Sequence, residues 1–298
     1  MRPPVRFAAL LAAAALAVAG CGGTDDEPGR STRLVDLSKK PPYVNALDID
    51  PGSGDFLLTT NRGFFRIDPE EERVTRLRST ITAKGRSSPV GTFLLITVTG
   101  ARALIGSGHP DKQGALPSFL GFIRSDDGGR TWRVVSRLGS ADLHKIVLRH
   151  DRMYAFDAVL SAIVISTDDG RTFTEHFTPR GLIIDFEVDP TDPKRLVASN
   201  DDELFRSEDE GDTWRPIVAA PGIRLAWPAP ESLYRADKDG TVRLSDDAGD
   251  TWQDVGRVDG EPYKFKAVGE KHLYLALGDG SIVETTDGGR GWEAVFEP

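Results

Sequence analysis

Short apolar segments alternate with polar turn residues along most of the chain. Between residues 183 and 218 four such segments follow one another, and all three breaks between them contain Asp. Runs of this length, bounded by turn-forming residues, are typical of antiparallel β-strands. The pattern predicts a unit of four short strands, at Ile183–Asp189, Arg195–Ser199, Glu203–Ser207 and Trp214–Val218.

An eight-residue motif lies between the third and fourth strands of this unit and occurs five times in the chain. Its pattern is Ser/Thr-x-Asp-x-Gly-x-Thr-Trp/Phe, with Gly291 replacing the threonine in the last copy. Consecutive copies begin 41, 41, 38 and 40 residues apart. A regular period of this length is typical of β-propellers, in which each repeat forms one blade. The copies begin at Ser125, Ser166, Ser207, Ser245 and Thr285.

Two positions of the motif have a clear structural role. The carboxylate at the third position can accept hydrogen bonds from nearby backbone N–H groups and so fix the loop. The glycine at the fifth position suits a backbone with positive φ. We therefore predict that the carboxylates are structural and that the motif joins two antiparallel strands. The carboxylates belong to Asp127, Asp168, Asp209, Asp247 and Asp287, and the glycines are Gly129, Gly170, Gly211, Gly249 and Gly289.

A sixth unit lies upstream of the five motif-bearing units. Its strands align with those of the 183–218 unit, and Glu70-Glu71-Glu72 stands where the motif would be. We therefore predict an all-β fold, a six-bladed β-propeller of four-stranded antiparallel blades, with seven blades as the alternative. The strand-like Leu34–Leu37 could pair with the last blade and help to close the ring, which protects sheet edges. The upstream strands are Val44–Asp50, Phe56–Thr60, Gly63–Asp68 and Arg73–Leu77.

The amino-terminal segment has the features of an export signal. Arg2 and Arg6 precede an apolar run, Phe7–Ala19, that is shorter than the roughly 20 residues needed to cross a bilayer. Small residues then precede Cys21, the single cysteine of the chain, and this arrangement resembles the lipobox of bacterial lipoproteins. The resemblance implies a signal peptide over residues 1–20, acylation of Cys21 and a flexible tether over 21–33, with the propeller from 34 to 298. An ordinary signal peptide with an incidental cysteine is the alternative.

The charge of the chain narrows the choice of partners. Without Arg2 and Arg6, 35 basic side chains stand against 46 acidic ones, and the basic ones form no run. Such a surface argues against nucleic acid, whose phosphates dominate binding. We expect a monomer without a cofactor, held on the outer face of the bacterial cell membrane by its lipid.

The motifs place the chain among known propellers. With five copies of the eight-residue pattern it resembles Asp-box (BNR-repeat) proteins, such as the sialidase, sortilin and photosystem II assembly-factor propellers. It is more similar to bacterial Asp-box lipoproteins that are often labelled glycosyl hydrolases. Phe65-Arg66-Ile67-Asp68 is similar to the motif of the first sialidase arginine, but Arg66 aligns with Arg124 and Arg206 on third strands. Tyr154, Tyr234 and Tyr274 share one second-strand position, so we interpret them as part of the repeat and not as a sialidase nucleophile.

Long connections on a rigid scaffold are where function concentrates, and here they are found in the first three blades. They cover residues 78–91, 107–118 and 141–144. His109, His144 and Asp157 suggest a small-molecule or glycan site or, as alternatives, a transition-metal site or local turn-forming roles. His176 is interpreted as structural, and His150 and His272 fall on turns between first and second strands, on the face away from the candidate site loops. The candidate ligand-binding residues are His109, Asp111, Asp142, His144 and Asp157.

No recognisable catalytic set is present in the sequence. We therefore predict a surface-anchored, extracytoplasmic module that binds or assembles a protein or glycan. The alternative is a sialidase-related glycosidase that acts on extracellular glycan.

Overall fold

The computed structural model describes residues 42–178, 181–220 and 222–298. The predicted signal peptide, Cys21, the tether and the segment Leu34–Leu37 lie outside the described residues. Within the described ranges all regular structure is β-strand, and no helix there is long and apolar enough to span a membrane.

Six sheets follow one another along the chain, and each is one blade. Three of the six carry the first half of the fold. Blade 1 contains β1 (Val44–Ile49), β2 (Phe56–Thr60), β3 (Gly63–Asp68) and β4 (Arg73–Leu77). Blade 2 contains β5 (Ser79–Ala83), β6 (Arg86–Val90), β7 (Leu94–Gly100), β8 (Ala103–Gly108), β9 (Phe122–Ser125) and β10 (Thr131–Ser136). Blade 3 contains β11 (Leu143–Arg149), β12 (Arg152–Asp157), β13 (Ala162–Ser166) and β14 (Thr174–His176).

The second half repeats the four-stranded pattern without additions. Blade 4 contains β15 (Asp185–Val188), β16 (Leu196–Ser199), β17 (Glu203–Ser207) and β18 (Arg215–Ala219). Blade 5 contains β19 (Arg224–Ala229), β20 (Ser232–Ala236), β21 (Thr241–Ser245) and β22 (Gln253–Arg257). Blade 6 contains β23 (Pro262–Ala267), β24 (Leu273–Leu277), β25 (Ile282–Thr285) and β26 (Glu293–Phe296). The prediction of a six-bladed propeller with four-stranded antiparallel blades is therefore confirmed.

Blade 2 differs from the expected pattern because residues 78–91 are not a loop. They form the hairpin of β5 and β6, and β5 pairs in parallel with β10, the outermost strand of the blade. Ser79 donates a hydrogen bond from its hydroxyl to the Gly129 carbonyl at 2.5 Å, which attaches the hairpin to the loop between β9 and β10. The interpretation of 78–91 as a candidate site loop was wrong, because its backbone groups are used to extend the sheet.

The ring is held by apolar packing at every boundary between blades. The boundary of blades 6 and 1 shows this, since Tyr274 and Ile282 pack with Phe56 and Phe65 in one buried cluster. Each blade is contiguous in sequence, and Pro42 and Pro298 both lie against Gly280. Within the described chain the ring is therefore closed by side-chain packing, because the sheets of blades 6 and 1 share no strand.

The eight-residue loops have the geometry expected from their sequence. In the blade 4 loop, the Asp209 carboxylate accepts hydrogen bonds from the Thr213 backbone N–H at 2.8 Å and the Thr213 hydroxyl at 2.6 Å. The Ser207 hydroxyl donates to the same carboxylate at 2.8 Å and accepts from the Gly211 N–H at 2.8 Å. The fifth glycine has positive φ in all five loops, between 76° and 97°. These carboxylates are occupied within their own loops and are structural there.

Candidate functional site

One edge strand of each blade is its inner strand, which is the first strand in sequence except in blade 2, where it is β7, and the six inner strands surround a central channel. They are β1, β7, β11, β15, β19 and β23. At the end where these strands begin, the channel opens into a cavity of about 560 Å³. We call this cavity the mouth. All six blades contribute side chains to it, including His109, Asp142, His144, Arg224 and Lys264.

Two histidines converge on one carboxylate at the mouth. His144 lies at the start of β11, and its Nε2 atom is 3.0 Å from Oδ2 of Asp142. His109 follows β8, and its Nε2 atom is 3.4 Å from the same oxygen. The Nδ1 atom of His109 lies 2.8 Å from the carbonyl oxygen of Ser118, so both ring nitrogens of His109 face oxygen acceptors. The structure therefore brings together three of the five residues predicted from the sequence.

This arrangement controls the charge of the cluster. The hydrogen bond to Asp142 raises the pKa of His109 above its ordinary value, although burial opposes the shift. Burial alone would raise the pKa of Asp142, but hydrogen bonds from His109 and His144 outweigh burial and hold it well below its usual range. Asp142 thus stays ionised near neutral pH. It lacks the raised pKa that the general acid of glycoside hydrolysis requires.

Asp157 does not line the mouth but contacts this cluster through the backbone of Asp142. It ends β12, its side chain is fully buried, and its Oδ1 atom accepts hydrogen bonds from the Asp142 N–H at 3.2 Å and the Val159 N–H at 3.0 Å. A guanidinium nitrogen of Arg137 lies 3.8 Å from its other oxygen. Asp157 therefore positions the backbone of Asp142, in contrast to the direct ligand contact expected from the sequence.

Asp111 also acts through its neighbours. Its Oδ1 atom accepts hydrogen bonds from the Thr92 backbone N–H at 3.0 Å and the Thr92 hydroxyl at 2.5 Å. This holds the turn before β7, in which Phe93 adopts a φ of 53° and remains 53% exposed at the mouth. A positive φ is costly for a bulky residue and persists where the surrounding structure enforces it. Asp111 lies outside the mouth but fixes an aromatic side chain at its rim.

Apolar side chains stand exposed around the mouth. Tyr43 and Leu182 also line it, with 53% and 51% of their surfaces exposed. Exposed apolar groups beside polar ones are typical of binding sites. The three rim residues come from blades 1, 2 and 4, so they flank the polar cluster of blades 2 and 3 on two sides.

Four polar residues at the mouth were not predicted from the sequence. One is Asp201, which lies between β16 and β17. Asn45, Arg224 and Lys264 lie at the start of the inner strands of blades 1, 5 and 6. Their signal in the sequence is a polar or charged side chain among the apolar residues of an inner strand, as in Tyr263-Lys264-Phe265. The eight-residue motifs define the strand order, but they do not indicate which inner-strand positions face the channel.

Other channel cations are neutralised by carboxylates. The Lys145 ammonium lies 2.7 Å from an Asp185 oxygen and 3.1 Å from a Glu187 oxygen. Lys266 lies 2.8 Å from an Asp48 oxygen. In the channel below the mouth, ion pairs therefore join neighbouring inner strands.

The residues interpreted as structural lie away from the mouth. Arg66 on β3 bonds Asp55 at 2.9 Å and Asp50 at 3.2 Å beside the β1–β2 turn. The hydroxyl of Tyr274 on β24 donates to Glu284 at 2.5 Å. Burial and this hydrogen bond raise the pKa of Tyr274, opposite to the change that would activate a tyrosine nucleophile.

The three remaining histidines each have local partners, and these are the Asp189 carbonyl for His150, Asp212 for His176, and Tyr274 and Glu284 for His272. In the described ranges, no group of three or more His, Cys, Asp or Glu side chains is arranged to hold a metal ion.

Comparisons with known proteins identify the fold. No family model matches the chain. The dispase autolysis-inducing protein of Streptomyces mobaraensis is 33% identical over 96 residues, which cover 32% of this chain and 25% of that protein. The chain thus spans about a quarter of the length of the curated relative it matches.

Solved structures match over most of the chain. YCF48 bound to a D1 peptide has a TM-score of 0.55 and 14% identity, covering 83% of this chain and 93% of that one. A chain of the nidogen/laminin complex has a TM-score of 0.56 and 14% identity, and the match covers 82% of this chain and 93% of that one. The GH74 enzyme of Niastella koreensis has a TM-score of 0.53 and 15% identity, and the match covers 86% of this chain and 45% of that one. At these identities the likeness shows the fold alone, and the chain is a β-propeller similar in structure to proteins of different activities.

Proposed function

We propose that this protein is an extracytoplasmic Asp-box propeller that binds an extended segment of a partner protein at the mouth of its channel. The observation that carries the proposal is the composition of the mouth. Exposed Tyr43, Phe93 and Leu182 lie beside polar side chains from all six blades, on a rigid ring. Aromatic anchors beside a few convergent polar groups are the usual composition of a recognition site.

A peptide ligand is favoured over a purely polar one. The rim residues Tyr43, Phe93 and Leu182 offer apolar surface that a peptide side chain can cover. The polar side chains of the mouth offer hydrogen-bonding groups for the backbone or the charged ends of the peptide. A structural neighbour, YCF48, has been solved with a D1 peptide bound, so a propeller of this kind can hold a peptide. A glycan, which could stack on Tyr43 and Phe93, is the competing ligand.

Site-specific photocrosslinking tests the proposal in intact cells. A photoreactive phenylalanine analogue at Phe93 should give covalent adducts with a polypeptide. The matched control is the same analogue at Val268, which is 48% exposed between β23 and β24, away from the mouth. Polypeptide adducts at 93 but not at 268 are expected. Equal adducts at both positions, or carbohydrate adducts alone at 93, would refute peptide binding at the mouth.

We further propose that acylated Cys21 holds the protein on the outer face of the bacterial cell membrane. Residue 42 lies against Gly280, in the β24–β25 turn beside the mouth side of blade 6. Cys21→Ala should move the protein from the membrane fraction to the soluble fraction. Unchanged fractionation, or an unlipidated Cys21 peptide in mass spectrometry, would contradict anchoring.

A further inference from the structure

Two polar side chains at the mouth have buried donors without acceptors, and a third lacks an ion pair. The Nε and Nη1 atoms of Arg224 and the Nδ2 atom of Asn45 are buried and find no hydrogen-bond acceptor within the described part of the chain. Lys264 forms no ion pair with any residue of that part. The three side chains lie within the first three residues of β19, β23 and β1, which are neighbouring inner strands of blades 5, 6 and 1.

Such groups are costly in a folded protein. A buried donor left unsatisfied loses its hydrogen bonds to water without replacement, and the cost is larger when the donor carries charge. The neighbouring channel lysines avoid this cost, because Lys145 and Lys266 are paired with carboxylates at 2.7 and 2.8 Å. Buried guanidinium nitrogens without a hydrogen-bond acceptor also occur in Arg206 and Arg235, but these side chains lie 2.9 and 3.3 Å from carboxylate oxygens. Within the described residues, Arg224 and Lys264 have no carboxylate partner at such a distance.

The charges at this position also lack compensation. Burial and the neighbouring charges of Arg224 and Lys145 together lower the pKa of Lys264 to about 8, against the opposing effect of Asp185. Asp185 is already engaged with Lys145, and Asp142 is engaged with two histidines. An added anion would supply the acceptors and the negative charge that the mouth lacks.

The donor set identifies the class of anion. A guanidinium that has no carboxylate partner among the described residues suits a planar carboxylate, and an amide and an ammonium can complete its hydrogen bonds. Asp142 and Asp201 also line the mouth, so a singly charged group is favoured over a dianion such as phosphate. Apolar Tyr43 and Leu182 at the rim suit the hydrocarbon part of the same ligand.

We propose that Arg224, Lys264 and Asn45 form a carboxylate-binding site, which receives a terminal or side-chain carboxylate of the partner segment. The identity of the carrier rests on the proposed function, whereas the carboxylate site itself does not. The two claims can therefore be tested separately.

The first experiment uses acetate as the probe and the full chain. Lysine side-chain NMR should show Lys264 titrating near pH 8. Acetate, added at constant ionic strength against chloride, should raise this midpoint towards the ordinary lysine value of 10.5. Lys266, on the same strand but paired with Asp48, is the internal control and should not respond. A Lys264 midpoint unchanged by acetate would overturn the site.

Substitutions at Arg224 test its part in the site. Arg224→Gln should weaken acetate binding about tenfold or more, as expected for a charge-assisted pair of hydrogen bonds. Arg224→Lys keeps the charge but removes the planar fork, and it should weaken binding less. Arg257→Gln, at a side chain 63% exposed on β22, is the matched control and should bind as the wild type. If Arg224→Gln fails to fold, Arg224→Lys carries the test, and wild-type acetate affinity in the folded variant overturns the proposal.

The second experiment separates the two sources of carboxylate. Peptides selected from a display library for binding to the full chain are compared with versions whose carboxylates are amidated. Carboxylate-dependent binding that Arg224→Gln abolishes supports both the site and the proposed function. An acetate response without any peptide binding supports the site and overturns the peptide function. Peptide binding that is indifferent to amidation and to Arg224→Gln overturns the site and leaves the peptide function standing.

Discussion

Removal of the Asp157 carboxylate should destabilise the fold, although this residue touches no solvent. In Asp157→Ala two backbone N–H groups, of Asp142 and Val159, lose their acceptor. Leaving the buried Asp142 N–H without an acceptor costs about 1–3 kcal/mol, and leaving the partly buried Val159 N–H without one costs about 1 kcal/mol. We therefore expect a loss of about 2–4 kcal/mol in the free energy of unfolding. Asp157→Asn keeps an acceptor oxygen and should lose about 1 kcal/mol or less.

Urea unfolding followed by tryptophan fluorescence measures this difference. Release of the Asp142 backbone should also disturb its carboxylate, so the pKa of His109 should fall in Asp157→Ala and change little in Asp157→Asn. If Asp157→Ala unfolds within about 1 kcal/mol of the wild type, the two hydrogen bonds do not contribute as argued. If stability falls but the pKa of His109 is unchanged, Asp157 supports the fold without positioning Asp142.

Three further predictions follow from the described geometry. Histidine NMR should show the pKa of His109 above its ordinary value of 6.5 and a lower value in Asp142→Asn, and equal pKa values in both proteins would contradict the pairing. The stabilisation by the pair should be present below pH 6.5 and decline as pH rises through the raised pKa of His109. Because the pKa of Asp142 is lowered, the stabilisation should also decline at strongly acidic pH. Gly170→Ala should destabilise the protein by about 2 kcal/mol or more, because the added Cβ would lie 2.2 Å from Phe122. The control is Gly114→Ala, at a glycine with a similar φ but open space around it, which should cost about 1 kcal/mol. Equal losses of stability in thermal unfolding would exclude the clash as the cause. Asp111→Ala should speed hydrogen exchange of the Thr92 amide and leave exchange in β12 unchanged, and an unaltered Thr92 rate would show that Asp111 does not hold the Phe93 turn.

The repeat was sufficient to predict the blades, because each motif fixes a hairpin through contacts within eight residues. The β5–β6 hairpin was missed because β5 pairs with β10, about 50 residues away, and such pairing is not visible in a local pattern. A signal was present nevertheless, since Ser79, Ile81 and Ala83 are buried in alternation with exposed threonines. Alternation of this kind indicates a strand with one covered face.

At the site, the convergence of His109, Asp142 and His144 could be predicted from the connections that carry them. The roles of Asp111 and Asp157 could not, because short-range hydrogen bonds decide whether a carboxylate faces the mouth or the backbone behind it. Arg224 and Lys264 were missed for another reason. Their importance comes from partners that they lack, and a missing acceptor can be recognised only when neighbouring blades are seen together.

The closure of the ring has a consequence for chain connectivity. Every blade is contiguous in sequence, and Pro42 and Pro298 lie against the same glycine, Gly280. A short linker could therefore join 298 to 42, and the chain could be opened between β22 and β23 without dividing any sheet. Such a circular permutant should keep all six interfaces between blades and the whole mouth. The order of the blades around the ring defines this fold, and the point at which the polypeptide starts is interchangeable.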